Sequence, residues 1–344
     1  MAFTFPLFHR SGSILFLDDD IDYLDMLGMV IPTHLQIELY SRPPTFIDRM
    51  RDEPARWEAD AGLQLQMIER WRHGHHLLPQ VLRYWANNPA RYQLAQTCVV
   101  DYAMPGTDGL KVLNTLLDWP GSRILLTGQA DEQIAIQAFN GGLIDQFIPK
   151  QAPDIAGRLL TTLAKLAYTP HPRLNTLWRA VLQPAQQSVL QVPSVARALQ
   201  QFTQQHWIEY VVLGEPFGVL GLDARGQCQW LQLEPAHTLD DLAELAGTAG
   251  LDFDVVKAVQ AGKLLPAVEL HQQLRLRGPI RTAPAFAIGD DGLLNAAVFS
   301  LEAADLLQTI YATGISWKCR AHAAFRTSEF QTTGHGARSA SPRA

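Results

Sequence analysis

The sequence contains few cysteines, and none of them has the spacing of a metal site. Cys98, Cys228 and Cys319 lie far apart and form no CxxC pair. This spacing excludes a disulfide framework and a cysteine zinc site, and it is typical of the reducing cytoplasm. No apolar run is long enough to span a bilayer, and "MAFTFPLFHR" has neither a basic start nor a cleavage-like site. We therefore expect a cytoplasmic chain with no signal peptide and no membrane contact.

The chain also lacks an excess of positive charge. Its formal net charge is -6, which argues against a protein that wraps nucleic acid, so we do not expect a nucleic-acid partner. The 344 residues are 47% hydrophobic and 18% charged. That composition excludes wholesale disorder, and the length suggests two domains, each with its own core.

The first half of the chain alternates short apolar runs with helical segments. The runs are "SILFLD", "LQIELY", "TCVVDYAMPG", "SRILLTGQ" and "IDQFIPK". Alternating strands and helices are typical of an α/β fold with a doubly wound, five-stranded parallel sheet. Sheets of this kind bind ligands at the carboxyl ends of their strands.

A helical insertion at about residues 45–92 interrupts this alternation between the second and third strands. It carries Trp57, Trp71, Tyr84 and Trp85. These aromatic side chains can pack the inserted helices onto the first domain, or they can form a surface for a second copy of the chain or another partner. We favour packing.

The insertion also contains the histidine-rich stretch "HGHH". His73, His75 and His76 can bind a transition metal, but no nearby cysteine or carboxylate pair completes such a site. A solvated helix end is therefore the favoured interpretation.

A proline-rich break, residues 169–175, predicts a linker after a first domain that spans residues 1–168. Residues 176–317 predict an α+β output domain, in which the hairpins "FGVLGLDARGQCQWLQL" and "APAFAIGDDGLLNAAVFSL" flank a helical block. Residues 318–344 are rich in Ser, Thr, Gly and Arg, which predicts a disordered tail.

Several strand ends of the first domain carry groups suited to phosphate chemistry. Asp18 and Asp19 leave the first strand, Asp101 ends the third, Thr127 the fourth and Lys150 the fifth. Carboxylates gathered this closely repel one another unless a cation lies among them, and a few hard oxygen ligands suit Mg²⁺. A lysine and a hydroxyl complete a binding site for a phosphoryl group, and an aspartate can be its acceptor. The alternative is that these are ordinary strand-end and turn residues.

Residues 13–168 resemble the receiver domain of two-component response regulators, which has a flavodoxin-like fold. The matching motifs are "ILFLDDD", "VVDYAMPGTDGL", "ILLTGQAD" and "DQFIPK". The resemblance implies that Asp101 is the phospho-acceptor and that Asp19 ligates Mg²⁺ directly. It also implies that Asp18 holds a metal-bound water and that the backbone carbonyl of Ala103 is a further metal ligand.

The same resemblance assigns switch residues and partners. Lys150 would pair with the phosphoryl group, Thr127 would be the switch hydroxyl, and Phe147 the aromatic ring that moves with it. The phosphoryl donor would be a histidine kinase or a phosphotransfer protein. The catalysis implied is limited to phosphotransfer to Asp101 and loss of that phosphate, and a homodimer is a further candidate assembly.

Two features depart from the receiver pattern. Asp19 and Asp101 lie 82 positions apart (101 minus 19), about twice the usual spacing, and the helical insertion accounts for the excess. Lys150 is followed by Gln151, where receivers usually have proline, while Pro149 precedes it. This places in doubt the cis peptide that usually follows the lysine, since a non-proline cis bond is costly.

The second half shows no motif of a known output. It has no GGDEF, EAL or HD-GYP motif, no phosphate-binding loop and no basic helix-turn-helix. The layout distantly resembles the response regulators of α-hydroxyketone quorum-sensing clusters. We expect a non-DNA-binding output module; an unrecognised DNA-binding domain and a nucleotide- or small-molecule-binding enzyme are the alternatives. A receiver that folds but is never phosphorylated also stays open.

Overall fold

A computed structural model describes residues 5–33, 35–128, 132–290 and 292–302. The predicted tail at 318–344 and Cys319 lie outside these residues. Within them the chain forms two main sheets, one parallel and one antiparallel. None of the described helices is long and apolar enough to cross a membrane.

The first sheet has five parallel strands in the order β3-β2-β4-β7-β8. Its strands are β2 (Ser13–Leu17), β3 (Ile37–Tyr40), β4 (Ala95–Asp101), β7 (Ser122–Thr127) and β8 (Gln146–Pro149). Its helices are α1 (Ile21–Val30), α5 (Gly109–Asn114), α6 (Glu132–Asn140) and α7 (Ile155–Ala167). This order is the flavodoxin-like one, so the predicted fold class is confirmed.

Both faces of this sheet are covered, which explains why its strands read as continuous apolar runs. Successive residues of β2 point to opposite faces. Ile14 and Phe16 enter a core with residues of α1 and α7, whereas Leu15 and Leu17 enter a core with residues of α5 and α6.

The second sheet has six antiparallel strands in the order β1-β9-β10-β11-β15-β14. They are β1 (Phe8–Arg10), β9 (Glu209–Gly214), β10 (Phe217–Leu222), β11 (Cys228–Pro235), β14 (Phe286–Ile288) and β15 (Leu294–Leu301). Around them lie α8 (Pro172–Arg179), α9 (Pro184–Leu190), α10 (Pro193–His206), α11 (Leu239–Thr248), α12 (Phe253–Gln260) and α13 (Val268–Leu274). A small ladder joins β12 (Leu264–Pro266) to β13 (Thr282–Pro284). The two predicted hairpins are present, and β11 pairs with β15 so that they form one sheet.

Two predicted boundaries need correction. The span 1–168 placed the amino-terminal residues in the first domain, but Phe8–Arg10 pairs with β9 of the second sheet. The predicted linker 169–175 is also shorter than expected, because α8 begins at Pro172 and buries Leu174 and Trp178. A proline at the start of a helix is well tolerated, so the proline-rich composition marks a helix start here.

The insertion forms three helices, α2 (Pro43–Met50), α3 (Glu53–Arg72) and α4 (Leu77–Asn87). Packing onto the first domain is only part of its role. Trp57 is buried in the core beside the parallel sheet, whereas Tyr84 and Trp85 are buried in the core of the second sheet. The insertion therefore packs against both sheets.

Candidate functional site

Three carboxylates meet at the carboxyl end of the parallel sheet. Asp18 and Asp19 follow β2, and Asp101 is the last residue of the neighbouring strand β4. One carboxylate oxygen from each lies within 4.8 Å of the others. Asp18 and Asp101 are buried, whereas Asp19 is exposed to solvent. The structure thus brings together the acidic residues that the sequence placed at these strand ends.

Lys150 lies between two of these carboxylates. Its Nζ is 2.7 Å from Asp18 Oδ2 and 2.9 Å from Asp101 Oδ1. The lysine follows β8 directly, and its backbone N–H donates to the carbonyl of Thr127 at 2.8 Å. The peptide bond to Gln151 is trans, as the missing proline led us to expect. The substitution at 151 therefore leaves the ammonium group in contact with both carboxylates.

Burial and the ammonium group act in opposite directions on the carboxyl groups. Burial raises the pKa of Asp18 and of Asp101, and the hydrogen bonds from Lys150 counteract part of that rise. Burial also lowers the pKa of Lys150, but its bonds to Asp101 and Asp18 outweigh this and raise it overall. Lys150 is therefore a permanent cation that favours the ionised form of both acids.

The third aspartate of the run has a structural role. Asp20 precedes α1, and its side chain accepts a hydrogen bond at 3.1 Å from the backbone N–H of Tyr23. The backbone N–H of Asp20 in turn donates to Asp18 Oδ1 at 3.1 Å. Asp20 is thus the N-cap of α1, a position that aspartate favours, while Asp18 and Asp19 remain at the site.

The turn after Asp101 is held by residues of the "MPGTDG" motif. Ala103–Met104 (β5) pairs with Thr107–Asp108 (β6), and Gly106 has a φ of +82°, which favours glycine. Asp108 caps α5 by accepting from the N–H of Lys111 at 2.8 Å. A Cβ on Gly109 would lie 2.2 Å from the carbonyl oxygen of Asp101. Gly109 is therefore required at this close backbone approach, a constraint that sequence reasoning missed.

The two predicted switch residues lie on neighbouring strands. Thr127 ends β7, and its buried hydroxyl has no hydrogen-bond partner among the described residues. Phe147 is half-buried in β8, opposite Leu125, and packs against the core on the α5 and α6 side. A buried hydroxyl without a partner is costly, so Thr127 is positioned to bond a group that the described residues do not supply.

Tyr23 is a site residue that the sequence did not reveal. Lys150 Nζ lies 4.9 Å from the centre of its ring, within the range of a cation–π contact. Burial raises the pKa of its hydroxyl. Tyr23 lies in the first turn of α1, just after the aspartate run, but this position alone does not show that its ring reaches the lysine.

The residues present fit a divalent cation. Three carboxylates and one ammonium leave a formal charge of minus two, which a divalent cation would neutralise. Carboxylate oxygens are hard ligands of the kind that Mg²⁺ binds, and Ala103 lies two residues beyond Asp101 in the same turn. Among the described residues, no other cluster of three or more His, Cys, Asp or Glu has this geometry. His73, His75 and His76 lie exposed between α3 and α4.

The fold is similar to that of a solved response regulator. The structure of the Legionella pneumophila response regulator LqsR matches with a TM-score of 0.63 and 21% identity, over 92% of this chain and 98% of that one. A receiver domain from Vibrio parahaemolyticus (TM-score 0.31, 17% identity) covers 50% of this chain, with 97% of its own length matched. A receiver domain from Methanospirillum hungatei (0.28, 17%) covers 46% of this chain, with 94% of its own length matched. No protein-family model and no curated protein matches the chain.

The chain therefore has the fold of a response regulator, a receiver unit joined to a second, sheet-containing unit. The predicted resemblance is confirmed at the level of fold, and it extends to the C-terminal half, where no motif had carried it.

Proposed function

We propose that this protein is a phosphorelay response regulator that accepts a phosphoryl group on Asp101 from a histidine kinase or a phosphotransfer protein. The observation that carries the proposal is the contact of Lys150 with both Asp18 and Asp101, inside a cluster of three carboxylates. An ordinary group of strand-end acids has no need of a partly buried lysine shared between two of them. The thiols of Cys98 and Cys228 are buried and form no disulfide among the described residues, which agrees with a cytoplasmic site of action.

The proposed reaction breaks the P–N bond of a phosphohistidine and forms a P–O bond to a carboxylate oxygen of Asp101. Asp101 must be ionised to act as nucleophile, and the Lys150 ammonium favours that form. After transfer, Lys150 is placed to bind a phosphoryl oxygen. The hydroxyl of Thr127 can donate to another, which would supply its missing partner.

Asp19, Asp101 and the carbonyl of Ala103 are the proposed Mg²⁺ ligands, with Asp18 holding a metal-bound water. Mg²⁺ in such a site neutralises phosphoryl oxygens and aligns them with the attacking carboxylate.

The signal would then pass from the sheet edge to the second unit. Thr127 and Phe147 would shift toward the phosphoryl group. Their movement and the added charge would alter the adjacent surface of the receiver. The insertion offers a physical link to the second unit, since Trp57 packs in one core and Trp85 in the other. We keep residues 13–168 as the receiver and assign β1 and residues 172–302 to the output unit.

We propose an output through protein contacts, which include a homodimer, or through a small ligand, and not through DNA. The two hairpins pair within one sheet over an apolar core that includes Val219, Trp230 and Phe299. A cavity of about 750 Å³ lies beside β11, where Glu234 and Thr238 contribute polar groups. That cavity supports the small-ligand alternative.

The decisive experiment is phosphorylation of the purified full chain by acetyl phosphate with Mg²⁺, read by intact mass. We expect one added phosphate on the wild type and on Asp118→Asn, an exposed control, and none on Asp101→Asn. Equal labelling of Asp101→Asn would overturn the assignment of the acceptor. Size-exclusion of the same samples reports assembly, and steeply salt-dependent retention on heparin would favour the DNA-binding alternative.

A further inference from the structure

A second cavity lies at the opposite end of the parallel sheet from Asp101. Its volume is about 330 Å³, and its lining includes the amino ends of β4 and β7, part of β1, and the segment that joins α7 to α8. The cavity is therefore bounded by both sheets. This volume lies within the range of pockets that bind small molecules.

One wall of the cavity contains a buried arginine with unused donors. Arg10 is 1% exposed, and its Nη1 donates to Asp60 Oδ2 at 2.8 Å and to the Tyr84 hydroxyl at 3.2 Å. Its Nε and Nη2 are buried and have no partner among the described residues. Asp60 therefore neutralises the charge of Arg10 but leaves part of its hydrogen-bonding capacity unsatisfied.

A second arginine of the lining, Arg123, is only half-buried but also has buried donors without a described partner. Nε and Nη1 of Arg123, at the start of β7, are buried and have no partner in the described part of the chain. Its neighbour Asp145 is exposed and accepts from the backbone N–H of Arg123 at 2.7 Å. A guanidinium can only donate, and a buried unpaired donor is costly. Both guanidinium groups border the cavity, so an occupant that carries acceptor oxygens would suit its lining.

The remaining lining is largely aromatic. The guanidinium of Arg10 lies 5.7 Å from the ring of Phe8 and 5.5 Å from that of Trp57, and Trp57 stacks on His171 at 5.3 Å. Burial, together with the charges of Arg173 and Arg10, lowers the pKa of His171, so the imidazole is neutral at physiological pH. Rings that flank two donor-only side chains suit a flat apolar group that carries an anionic end.

We propose that this cavity binds a small aromatic acid, whose carboxylate or phosphate accepts from Arg10 and Arg123 while its ring packs against Trp57. Thr97 lies at this cavity and Asp101 four residues further along β4, which separates the two sites by about 13 Å at the usual strand rise. The cavity is therefore a site distinct from the carboxylate cluster. Its occupant would contact both sheets.

The test is isothermal titration of the full chain with benzoate and phenyl phosphate at millimolar concentration, with benzyl alcohol and inorganic phosphate as partial probes. We expect saturable one-to-one binding of the two aromatic acids and much weaker binding of each partial probe. Arg123→Leu should weaken binding about tenfold or more, because a hydrogen bond to a charged group is lost. Arg158→Leu, an exposed arginine on α7, should bind as the wild type does.

Asp101→Asn should also bind the aromatic acids with wild-type affinity, so this inference and the proposed phosphorylation can fail separately. Arg10 is unsuitable as the first variant because its ion pair with Asp60 is buried. Absence of binding by both aromatic acids would overturn the proposal. Equal affinity for inorganic phosphate and phenyl phosphate would overturn it too, since the ring would then contribute nothing, as would unchanged binding by a folded Arg123→Leu.

Discussion

Arg91 and Glu209 form a buried ion pair that joins the end of the insertion to the second sheet. Arg91 Nε lies 2.9 Å from Glu209 Oε2, and the Tyr92 hydroxyl donates to the same oxygen at 2.8 Å. Nη1 of Arg91 donates to the carbonyls of Trp85 and Asn88, and Nη2 donates to the Tyr92 hydroxyl. Both side chains of the pair are buried, so removal of either one would leave the other charge buried without a counter-charge.

Arg91→Met should lower the free energy of unfolding by about 3–5 kcal/mol, because Glu209 would remain buried without a counter-charge. Urea denaturation measures the change. The double variant Arg91→Met/Glu209→Gln should recover part of the loss, and Arg51→Met, which removes an exposed pair with Asp48, should change stability by less than about 1 kcal/mol. A loss no larger than that of Arg51→Met would contradict the structural role assigned to this pair.

Gly109→Ala should distort the backbone of Asp101. The added Cβ would meet the Asp101 carbonyl oxygen at 2.2 Å, and both groups belong to main chain that cannot move cheaply. We expect a loss of about 1–3 kcal/mol in stability and slower phosphate uptake, measured by denaturation and intact mass. Gly62→Ala in α3 is the control, because a Cβ added there would meet no neighbouring atom within 4 Å. We expect this variant to gain about 0.5–1 kcal/mol in stability. Equal effects of the two variants would argue against the close approach.

Thr127→Val should separate phosphate acceptance from signal output. The buried hydroxyl has no partner in the described structure, so replacing it with a methyl group should raise the free energy of unfolding by about 1 kcal/mol. Intact mass should still show a phosphate on Asp101. The hydrogen-exchange rates of the β8 amides should no longer change when the phosphate is added. Thr161→Val on the exposed side of α7 should respond as the wild type does. A full response in Thr127→Val would remove this residue from the switch.

Glu234→Gln should alter the pH dependence of stability. Burial, the largest cause, raises the pKa of Glu234 from 4.5 to about 7, although Thr238 donates to this carboxyl. The native state therefore keeps a proton that the unfolded state releases near pH 4.5, and the associated stability is lost as the pH rises through about 7.

The Glu234→Gln variant should match the wild type near pH 4 and exceed it by about 1–2 kcal/mol above pH 7. Chemical denaturation at several pH values measures this difference. Glu244→Gln, at an exposed position of α11, should follow the wild-type curve. Parallel curves for Glu234→Gln and the wild type would refute the raised pKa.

The pattern of apolar runs was sufficient to predict the parallel sheet and its site. Strands such as "SILFL" are buried on both faces, and the residue after each strand must lie at the carboxyl edge once the strands are parallel. Asp18, Asp101, Thr127 and Lys150 could therefore be placed together without coordinates. Gly109 and Tyr23 could not, because their roles depend on a close backbone approach and on a ring position that spacing along the chain does not encode.

The local elements, the polar residues at the strand ends and the chemistry of the acidic cluster could be predicted, because they follow from short-range periodicity and residue type. The pairing of Phe8–Arg10 with β9, the packing of the insertion in both cores and the cavity lined by Arg10 and Arg123 became visible in the folded chain alone. These contacts join residues distant in sequence. They form where apolar surface is left exposed on one unit and can be covered by the other. Local sequence patterns do not show which surfaces meet in this way.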